Sequence, residues 1–242
     1  MIAPKSIVFT DWDGTVTLQD SNDLVTDLLG FGKEERGRLF ELMLDEKMSF
    51  REGFLRMLKS ISDNGYSVDY CIEVLLKNVK LDPGFKPFLM WCKSNEVPLY
   101  VISSGMEPII NALLQKLIGE EADYIEILAN DVKTDPNDKA KWDIVYRDET
   151  PFGHDKSRSI NKILSTYGDN RPSAFYCGDG ISDLSASKTC DILFARSGKD
   201  LTVFCDRHSI PYREFHTFDD VTRDIAAVTS GEKSVEDLVE GK

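Results

Sequence analysis

The chain has 242 residues, which at roughly 150 residues per domain indicates one large domain or two small ones. Hydrophobic residues make up 41% and charged residues 29%, so a chain disordered throughout is excluded. The formal net charge of −13 argues against a nucleic-acid partner, because binding a phosphate backbone needs basic patches. A small phosphate ester stays compatible with this charge, since a bound cation can supply positive charge locally.

No run of residues approaches the ~18 consecutive apolar positions of a membrane span, so we expect no membrane partner. The first residues, MIAPKSIVFTDWD, lack the apolar core of a signal peptide. The five cysteines include no C-x-x-C pair, and we interpret them as buried free thiols of a reducing compartment. We therefore expect a cytoplasmic protein, and a nuclear location stays possible. We also expect a monomer or a homodimer.

The first predicted element is a buried strand over 6–10 (SIVFT), a short apolar run bounded by acid. From about 18 to 80, apolar side chains recur with helical period in four stripes, and no strand signal separates them. This pattern predicts a compact insert of four helices.

After Leu81 the pattern alternates between strand and helix. Strands are predicted over 97–104, 124–130, 141–148, 173–180 and 191–195. Helices are predicted over 82–93, 107–118, 155–167, 183–189, 200–207 and 218–229, and Asp82 is the expected N-cap of the first of them. The segment SGEKSVEDLVEGK is predicted to be a polar helix or a frayed tail. The alternation predicts an α/β fold, a doubly wound, Rossmann-like parallel sheet core (1–17 and 81–242) with an inserted four-helix cap domain (18–80).

The carboxyl ends of the strands are where open α/β sheets bind ligands. The residues predicted there are Asp11, Asp13, Ser103, Ser104, Gly105, Lys156, Asp179 and Asp183. Three carboxylates crowded together would raise one another's pKa unless a cation intervenes, and oxygen ligands suit Mg²⁺. The sequence therefore predicts a magnesium site that, with Lys156, attracts a small phosphorylated metabolite.

Asp11 and Asp13 are two residues apart at a strand end, where both carboxylates can turn to the same side. This spacing suits one carboxylate that attacks phosphorus and a second that donates a proton to the leaving alkoxide and later takes one from water. The hydroxyl of Ser103, local backbone N–H groups and Lys156 are candidates for binding the phosphate oxygens.

DWDGT, a Ser after an apolar strand, a Lys and GDGISD together resemble the four motifs of the haloacid dehalogenase (HAD) superfamily. Their order and spacing are similar to those of its phosphatase branch, with a helical cap after the first motif, as in phosphoserine phosphatase-like members. The resemblance implies a hydrolase of phosphate monoesters that works through an aspartyl-phosphate. It implies that Asp11 is the nucleophile and Asp13 the acid/base.

The same resemblance implies that Mg²⁺ is bound by Asp11, the backbone carbonyl of Asp13 and Asp179, with Asp183 holding a metal-bound water. It implies that a serine of the second motif binds phosphate together with the third-motif residue Lys156. Ser104 stands where many relatives have Gly, so Ser103 and Ser104 are both candidates, beside Gly105.

The cap is where the resemblance places substrate selection. Asp20 and Met57 match the positions at which phosphoserine phosphatases carry a Glu and an Arg that bind serine. The missing Arg disfavours phosphoserine, because no guanidinium would pair the substrate carboxylate, and it favours a neutral hydroxylated substrate. Longer strings, among them TPFGHDKS and YCGDGISDLSA, resemble a fungal branch whose suggested substrates are polyol phosphates such as ribitol 5-phosphate and sorbitol 6-phosphate.

Each candidate specificity residue also has a structural interpretation. Asp20 can cap a helix, Met57 and Phe50 lie on an apolar stripe, and His154 can complete a loop. The rival functions are a phosphatase of phosphorylated amines or amino acids, such as phosphoserine or phosphoethanolamine, and a phosphate-accepting signalling module that does not turn over. A catalytically silent binding protein is disfavoured, because every chemical residue is present.

Overall fold

The computed structural model describes residues 3–240. Within them one sheet has seven strands: β1 Ser6–Thr10, β2 Leu99–Met106, β3 Ile125–Asp135, β4 Asp138–Val145, β5 Ser173–Gly178, β6 Ile192–Arg196 and β7 Arg213–Phe215. The strand order is β4-β3-β2-β1-β5-β6-β7, and every neighbouring pair except β3–β4 is parallel. The strands that follow β1 lie on both sides of it, with β2 on one side and β5 on the other. This reversal of strand order opens a crevice at the carboxyl end of β1. The predicted doubly wound α/β fold is confirmed.

The helices are α1 Ser21–Leu29, α2 Lys33–Leu44, α3 Phe50–Asp63, α4 Val68–Asn78, α5 Phe85–Ser94, α6 Glu107–Leu117, α7 Lys156–Ser165, α8 Leu184–Ser187, α9 Asp200–His208, α10 Phe218–Ser230 and α11 Val235–Glu240. α1 to α4 lie within the predicted insert. Successive residues of β1 face two different apolar clusters, with Val8 in one and Ile7 and Phe9 in the other, as expected of a strand buried on both faces. The division into a core (1–17 and 81–242) and a cap (18–80) stays a prediction.

β4 differs from the prediction of a parallel strand over 141–148. It spans Asp138–Val145 and pairs antiparallel with β3, through a two-residue connection between Asp135 and Asp138. A connection this short joins only antiparallel strands, because a parallel crossover needs a dozen residues or more. The carboxylate of Asp135 accepts a hydrogen bond from the backbone N–H of Asn137, which stabilises the turn.

The start of α5 also differs from the prediction, which made Asp82 its N-cap. The N-cap is Gly84, and the buried carboxylate of Asp82 accepts hydrogen bonds from the backbone N–H groups of Gly84 and Phe218. Its second oxygen pairs with the buried guanidinium of Arg196, 2.5 Å away. Asp82 therefore ties the end of the helical insert to the sheet. β7, only three residues long, was not among the predicted strands.

The insert leaves and re-enters the core at one place. Thr17 and Leu81 form an isolated antiparallel bridge, and the backbone N–H of Leu18 donates to the carbonyl of Lys80 at 2.9 Å. The backbone N–H of Asp82 donates to the carbonyl of Val16, also at 2.9 Å. The two connecting segments are therefore paired with each other, which makes this point the joint between the insert and the core.

α3 also rests on the core away from that joint. The hydroxyl of Ser62 donates to the carbonyl of Ala140 at 2.8 Å, and the indole N–H of Trp142 donates to the carbonyl of Tyr66 at 2.9 Å. These contacts place the β3–β4 hairpin along α3. The β3–β4 hairpin, whose antiparallel pairing was not predicted from the sequence, therefore packs against the insert.

The first turn of α3 is held by the loop between β4 and α7. The backbone N–H of Arg51 donates to the carbonyl of Pro151 at 2.8 Å, and its guanidinium donates to the carbonyl of Asp148. The guanidinium also lies 4.2 Å from the ring centroid of Tyr146, whose hydroxyl donates to the carbonyl of Arg51. Arg51 of the insert thus contacts the loop that leads to Lys156 through both its backbone and its side chain.

Among residues 3–240, no helix has the length and apolar character needed to cross a membrane. All five cysteines are free thiols, and only Cys190 is less than fully buried.

Candidate active site

The loops that follow β1 and β5 meet at the carboxyl edge of the sheet. The backbone N–H of Asp11 donates to the carbonyl of Cys177 at 2.8 Å, which continues the pairing of the two strands. Gly14 has a φ of +73°, and a Cβ at this position would overlap the carboxylate of Asp179. Glycine is therefore needed here for both conformation and space. This close approach brings the first and fourth motifs into one crevice.

Lys156 is the cation of the crevice and its side chain is only 2% exposed. Its ammonium lies 2.6 Å from Asp11 Oδ1 and 2.7 Å from Asp183 Oδ1. Lys156 is the first residue of α7, where the positive end of the helix dipole disfavours a second positive charge. The two carboxylates compensate for that placement, because a buried charge must be paired.

Asp183 is completely buried and both of its oxygens are occupied. Oδ1 accepts from Lys156 and from the hydroxyl of Tyr176, which is 2.6 Å away. Oδ2 accepts from the backbone N–H groups of Asp179 and Gly180, at 3.0 and 3.1 Å. Asp183 therefore fixes both the lysine and the turn that carries Asp179.

Burial is the main cause of the raised pKa values of these carboxylates, and repulsion between them adds to it. Burial raises the pKa of Asp11 to about 8, and the charges of Asp183 and Asp179 act in the same direction against that of Lys156. Burial and then the charge of Asp183 raise the pKa of Asp179 to about 6. Although burial disfavours the charged ammonium, Asp11 and Asp183 raise the pKa of Lys156. Asp11 and Asp179 keep raised pKa values even though Lys156 and Lys199 lie beside them, so the crevice favours a further cation.

A divalent cation fits this group of acids. Oxygens of Asp11, Asp179 and Asp183 all lie within 4.8 Å of one another. Because Asp183 is occupied by four protein donors, Asp11 and Asp179 are the carboxylates with lone pairs left for a metal, and Asp11 Oδ1 keeps one beside its single hydrogen bond from Lys156. An all-oxygen donor set suits Mg²⁺. The group therefore meets the chemical requirement of the predicted magnesium site.

Asp13 is held from the start of α1. Its Oδ1 accepts from the backbone N–H of Ser21 at 2.7 Å, and its Oδ2 accepts from the side-chain amide of Asn22 at 2.8 Å. Burial, followed by the charge of Asp20, raises the pKa of Asp13 well above its ordinary value. A carboxyl group with a raised pKa keeps a proton that it can donate.

The end of β2 forms another wall of the site. Ser103 is buried, and its Oγ accepts from the backbone N–H of Gly105 at 2.9 Å. A Cβ on Gly105 would lie 3.3 Å from Asn22 Nδ2 and 3.5 Å from Asp13 Oδ2, so this loop packs against both side chains. Ser104 is half-buried, and its carbonyl accepts from Asn130 Nδ2 at 2.7 Å. The geometry therefore brings Gly105 next to Asp13, and Ser103 is hydrogen-bonded to Gly105.

The family model for haloacid dehalogenase-like hydrolases matches residues 8–188, which include every residue described above as part of the crevice. The chain belongs to this family. The predicted HAD membership and the predicted enzyme class, a phosphoric monoester hydrolase, are both confirmed.

This HAD-family chain is similar to two yeast proteins of almost the same length. The chain is 51% identical to polyol phosphate phosphatase PYP1 of Saccharomyces cerevisiae, over 98% of this chain and 99% of that one. It is 48% identical to Pdp3-interacting factor 1 of Schizosaccharomyces pombe, over 90% and 93% of the two chains. A solved phospho-aspartyl intermediate analogue of phosphoserine phosphatase matches with a TM-score of 0.60 at 17% identity, over 84% and 91% of the two chains.

His154 lies beneath the Ser103 loop of the HAD core. Its Nδ1 donates to the carbonyl of Ser103 at 2.8 Å, which leaves Nε2 to accept from the hydroxyl of Ser159 at 2.9 Å. Burial lowers the pKa of His154 to about 4, so the ring is neutral. Both ring nitrogens are bonded to protein, and this position supports the loop.

The predicted cap residues occupy structural positions. Asp20 is the N-cap of α1, and its side chain accepts from the backbone N–H groups of Asn22 and Asp23. Met57 is 4% exposed within the apolar cluster, and the ring of Phe50 stacks on Phe54 at 5.9 Å. Their predicted part in substrate selection stays a prediction.

Three polar residues of this HAD site were missed in the sequence. Tyr176 was interpreted as part of an apolar strand, but its hydroxyl reaches Asp183. Asn22 lies two residues after the predicted helix cap, and nothing at that position in the sequence indicates that its amide binds Asp13. Lys199 lies after β6, and its ammonium is 3.6 Å from Asp179 Oδ2. Only Lys199 carried a signal, as a cation following a predicted strand.

Proposed function

We propose that this HAD enzyme hydrolyses polyol phosphates by way of a phosphorylated Asp11. The observation that carries the proposal is the environment of the Asp11 carboxylate. Lys156 holds Oδ1 at 2.6 Å, whereas Oδ2 meets no hydrogen-bond donor within residues 3–240. A carboxylate fixed by one oxygen and open at the other is arranged to attack phosphorus.

In the first transfer, Asp11 Oδ2 forms a bond to phosphorus as the bond between phosphorus and the ester oxygen breaks. The electrons of the broken bond stay with the ester oxygen, which takes a proton from Asp13. The raised pKa of Asp13 supports this assignment, because the group must be protonated when the alkoxide leaves.

In the second transfer, water attacks phosphorus and gives a proton to Asp13. The bond between phosphorus and Asp11 breaks, so the carboxylate is restored and orthophosphate is released. The Ser103 hydroxyl, whose oxygen already accepts from Gly105, has its own proton free for a phosphate oxygen. Lys156 offers a further positive charge beside Asp11.

Asp11, Asp179 and the backbone carbonyl of Asp13 would hold the Mg²⁺ ion, which when bound supplies positive charge opposite the phosphate oxygens. Asp183 keeps Lys156 and the backbone of Asp179 in place through its four hydrogen bonds.

The substrate class is supported by one relative and one residue. The relative is the Saccharomyces cerevisiae protein named a polyol phosphate phosphatase, with 51% identity. The residue is Met57, which is buried at the position where the resemblance to phosphoserine phosphatases expects an Arg. A buried thioether cannot pair a substrate carboxylate, whereas a neutral polyol does not need such a partner.

The test is a substrate panel with purified protein and Mg²⁺, read as orthophosphate release. Ribitol 5-phosphate and sorbitol 6-phosphate are compared with phosphoserine and phosphoethanolamine, with the Asp11→Asn variant as the blank. We expect kcat/KM to be at least about tenfold higher for the polyol phosphates, which corresponds to about 1.4 kcal/mol of transition-state binding. A preference for phosphoserine or phosphoethanolamine would contradict the substrate class. One phosphorylation without release would support the signalling module instead.

The predicted cytoplasmic location and the predicted monomer or homodimer stay predictions. Fractionation of cells and light scattering of the purified protein would test them.

A further inference from the structure

Asp13 is held by two hydrogen bonds that both come from the first turn of α1. The backbone N–H of Ser21 reaches Oδ1 at 2.7 Å, and Asn22 Nδ2 reaches Oδ2 at 2.8 Å. One donor on each oxygen defines the plane of a carboxyl group, whereas one donor alone would leave it free to rotate. The direction of the Asp13 side chain is therefore determined by this helix.

Asn22 is itself held firmly, and it is 8% exposed. Its backbone N–H donates to Asp20 Oδ1 at 2.9 Å, and its carbonyl accepts from the hydroxyl of Thr26 at 2.8 Å. With its backbone fixed in this way, the amide group has only two side-chain torsions left, which the bond to Asp13 then restricts.

The opposite side of the pair is closed by β2. A Cβ on Gly105 would lie within 3.3 Å of Asn22 Nδ2 and 3.5 Å of Asp13 Oδ2, so the glycine backbone fits against both groups. Asp13 and Asn22 therefore occupy a slot between the start of α1 and the phosphate-binding loop.

We propose that Asn22 is a positioning residue that aims Asp13 at the ester oxygen of the substrate. This inference rests on the proposed acid/base role of Asp13. The Ser21 donor is a backbone N–H group, which any residue at position 21 would supply. Asn22 is therefore the residue whose side chain determines the direction of Asp13. A misdirected acid fails where a proton is needed, and attack by Asp11 is unaffected.

Two esters separate these effects. p-Nitrophenyl phosphate releases a weakly basic anion that leaves without a proton, whereas an alkyl phosphate releases an alkoxide that needs one. We expect Asn22→Ala to lower kcat/KM for the alkyl phosphate at least about tenfold, within the range of general-acid effects. Because kcat/KM reports the first transfer and not the later release of phosphate from Asp11, the kcat/KM for p-nitrophenyl phosphate should change by less than about threefold. Asp13→Asn sets the full size of the effect.

Two further variants serve as a second substitution at Asn22 and as a control for this experiment. Asn22→Leu keeps about the size of the side chain and carries no hydrogen-bond donor, so it should show the same selective loss even if the alanine variant unfolds. Asp27→Asn is the matched control, because Asp27 lies on the same helix and pairs with Arg36 rather than Asp13. Its activity on both esters should equal that of the unchanged enzyme.

Equal losses of kcat/KM on the two esters, or no loss on the alkyl phosphate, would overturn the proposal. If the unchanged enzyme hydrolysed p-nitrophenyl phosphate but no alkyl phosphate, the proposed function would fail instead, so the two failures are distinguishable.

Discussion

The floor of the crevice and its roof are built in different ways. The floor, formed by Asp11, Lys156 and Asp183 of the α/β core, is a buried ion-pair network in which the ammonium lies 2.6 and 2.7 Å from two carboxylates. The roof, formed by α1 to α4, packs through apolar side chains such as Met57 and rests on the core at Arg51. The floor is therefore held together by paired buried charges, whereas the roof is held together by apolar packing.

The largest effect is expected from removing the proposed nucleophile of the floor. Asp11→Asn replaces the carboxylate that we propose attacks phosphorus by an amide of the same size, so turnover should fall on the order of 10⁴-fold or more while the protein stays folded. Orthophosphate release and circular dichroism measure the two properties. Turnover within tenfold of the unchanged enzyme would show that another group attacks phosphorus.

Removing the cation of the floor should cost stability as well as activity. Lys156→Met keeps the length of the side chain but leaves Asp11 and Asp183 buried without a counter-charge. We expect the free energy of unfolding to fall by about 3–5 kcal/mol in urea titrations without metal. Added Mg²⁺ should restore part of the loss, and an unchanged midpoint would contradict the importance of the pair.

We expect His154, whose ring donates to the carbonyl of Ser103, to make the stability of the fold depend on pH. Its pKa is about 4 in the folded protein and about 6.5 in the unfolded chain, so the unfolded chain binds the proton first as pH falls. The contribution is complete above pH 6.5 and is lost as pH falls towards 4, about 3 kcal/mol in total.

The matched variant for this prediction is His154→Gln, which keeps a donor and an acceptor. Acids with raised pKa values, such as Asp11, stabilise the fold towards low pH and oppose the histidine. The difference in unfolding free energy between the two proteins is therefore the quantity to measure across pH 4–7. A difference that does not change with pH would contradict the prediction.

The smallest effect is expected at the contact between roof and core. Arg51→Ala removes the guanidinium from Tyr146 and from the carbonyl of Asp148 but keeps the backbone contact with Pro151. Because the side chain is 30% exposed, we expect a loss of about 1 kcal/mol in unfolding free energy.

Arg56→Ala is the control for this contact, since Arg56 lies on the same helix and forms an exposed pair with Glu52. It should cost less than about 0.5 kcal/mol. Equal losses in the two variants would show that Arg51 does not join the roof to the core.

Several features near the site could not be predicted from local patterns. The β3–β4 hairpin was assigned to a parallel sheet because strand runs show their period but not their direction. Asp82 was expected to cap α5, yet it pairs with Arg196, a residue more than a hundred positions away along the chain. Both misses have one cause, since the deciding partner is distant in sequence.

The amino-acid sequence by itself determined the strand–helix alternation, the four-helix insert and the acids of the crevice, because periodicity and short motifs are local properties. Only the tertiary structure decided that Asn22 holds Asp13, that Tyr176 holds Asp183 and that His154 lies under Ser103. These contacts join segments through burial, where an unpaired polar group is costly, and that constraint acts only once the chain has folded.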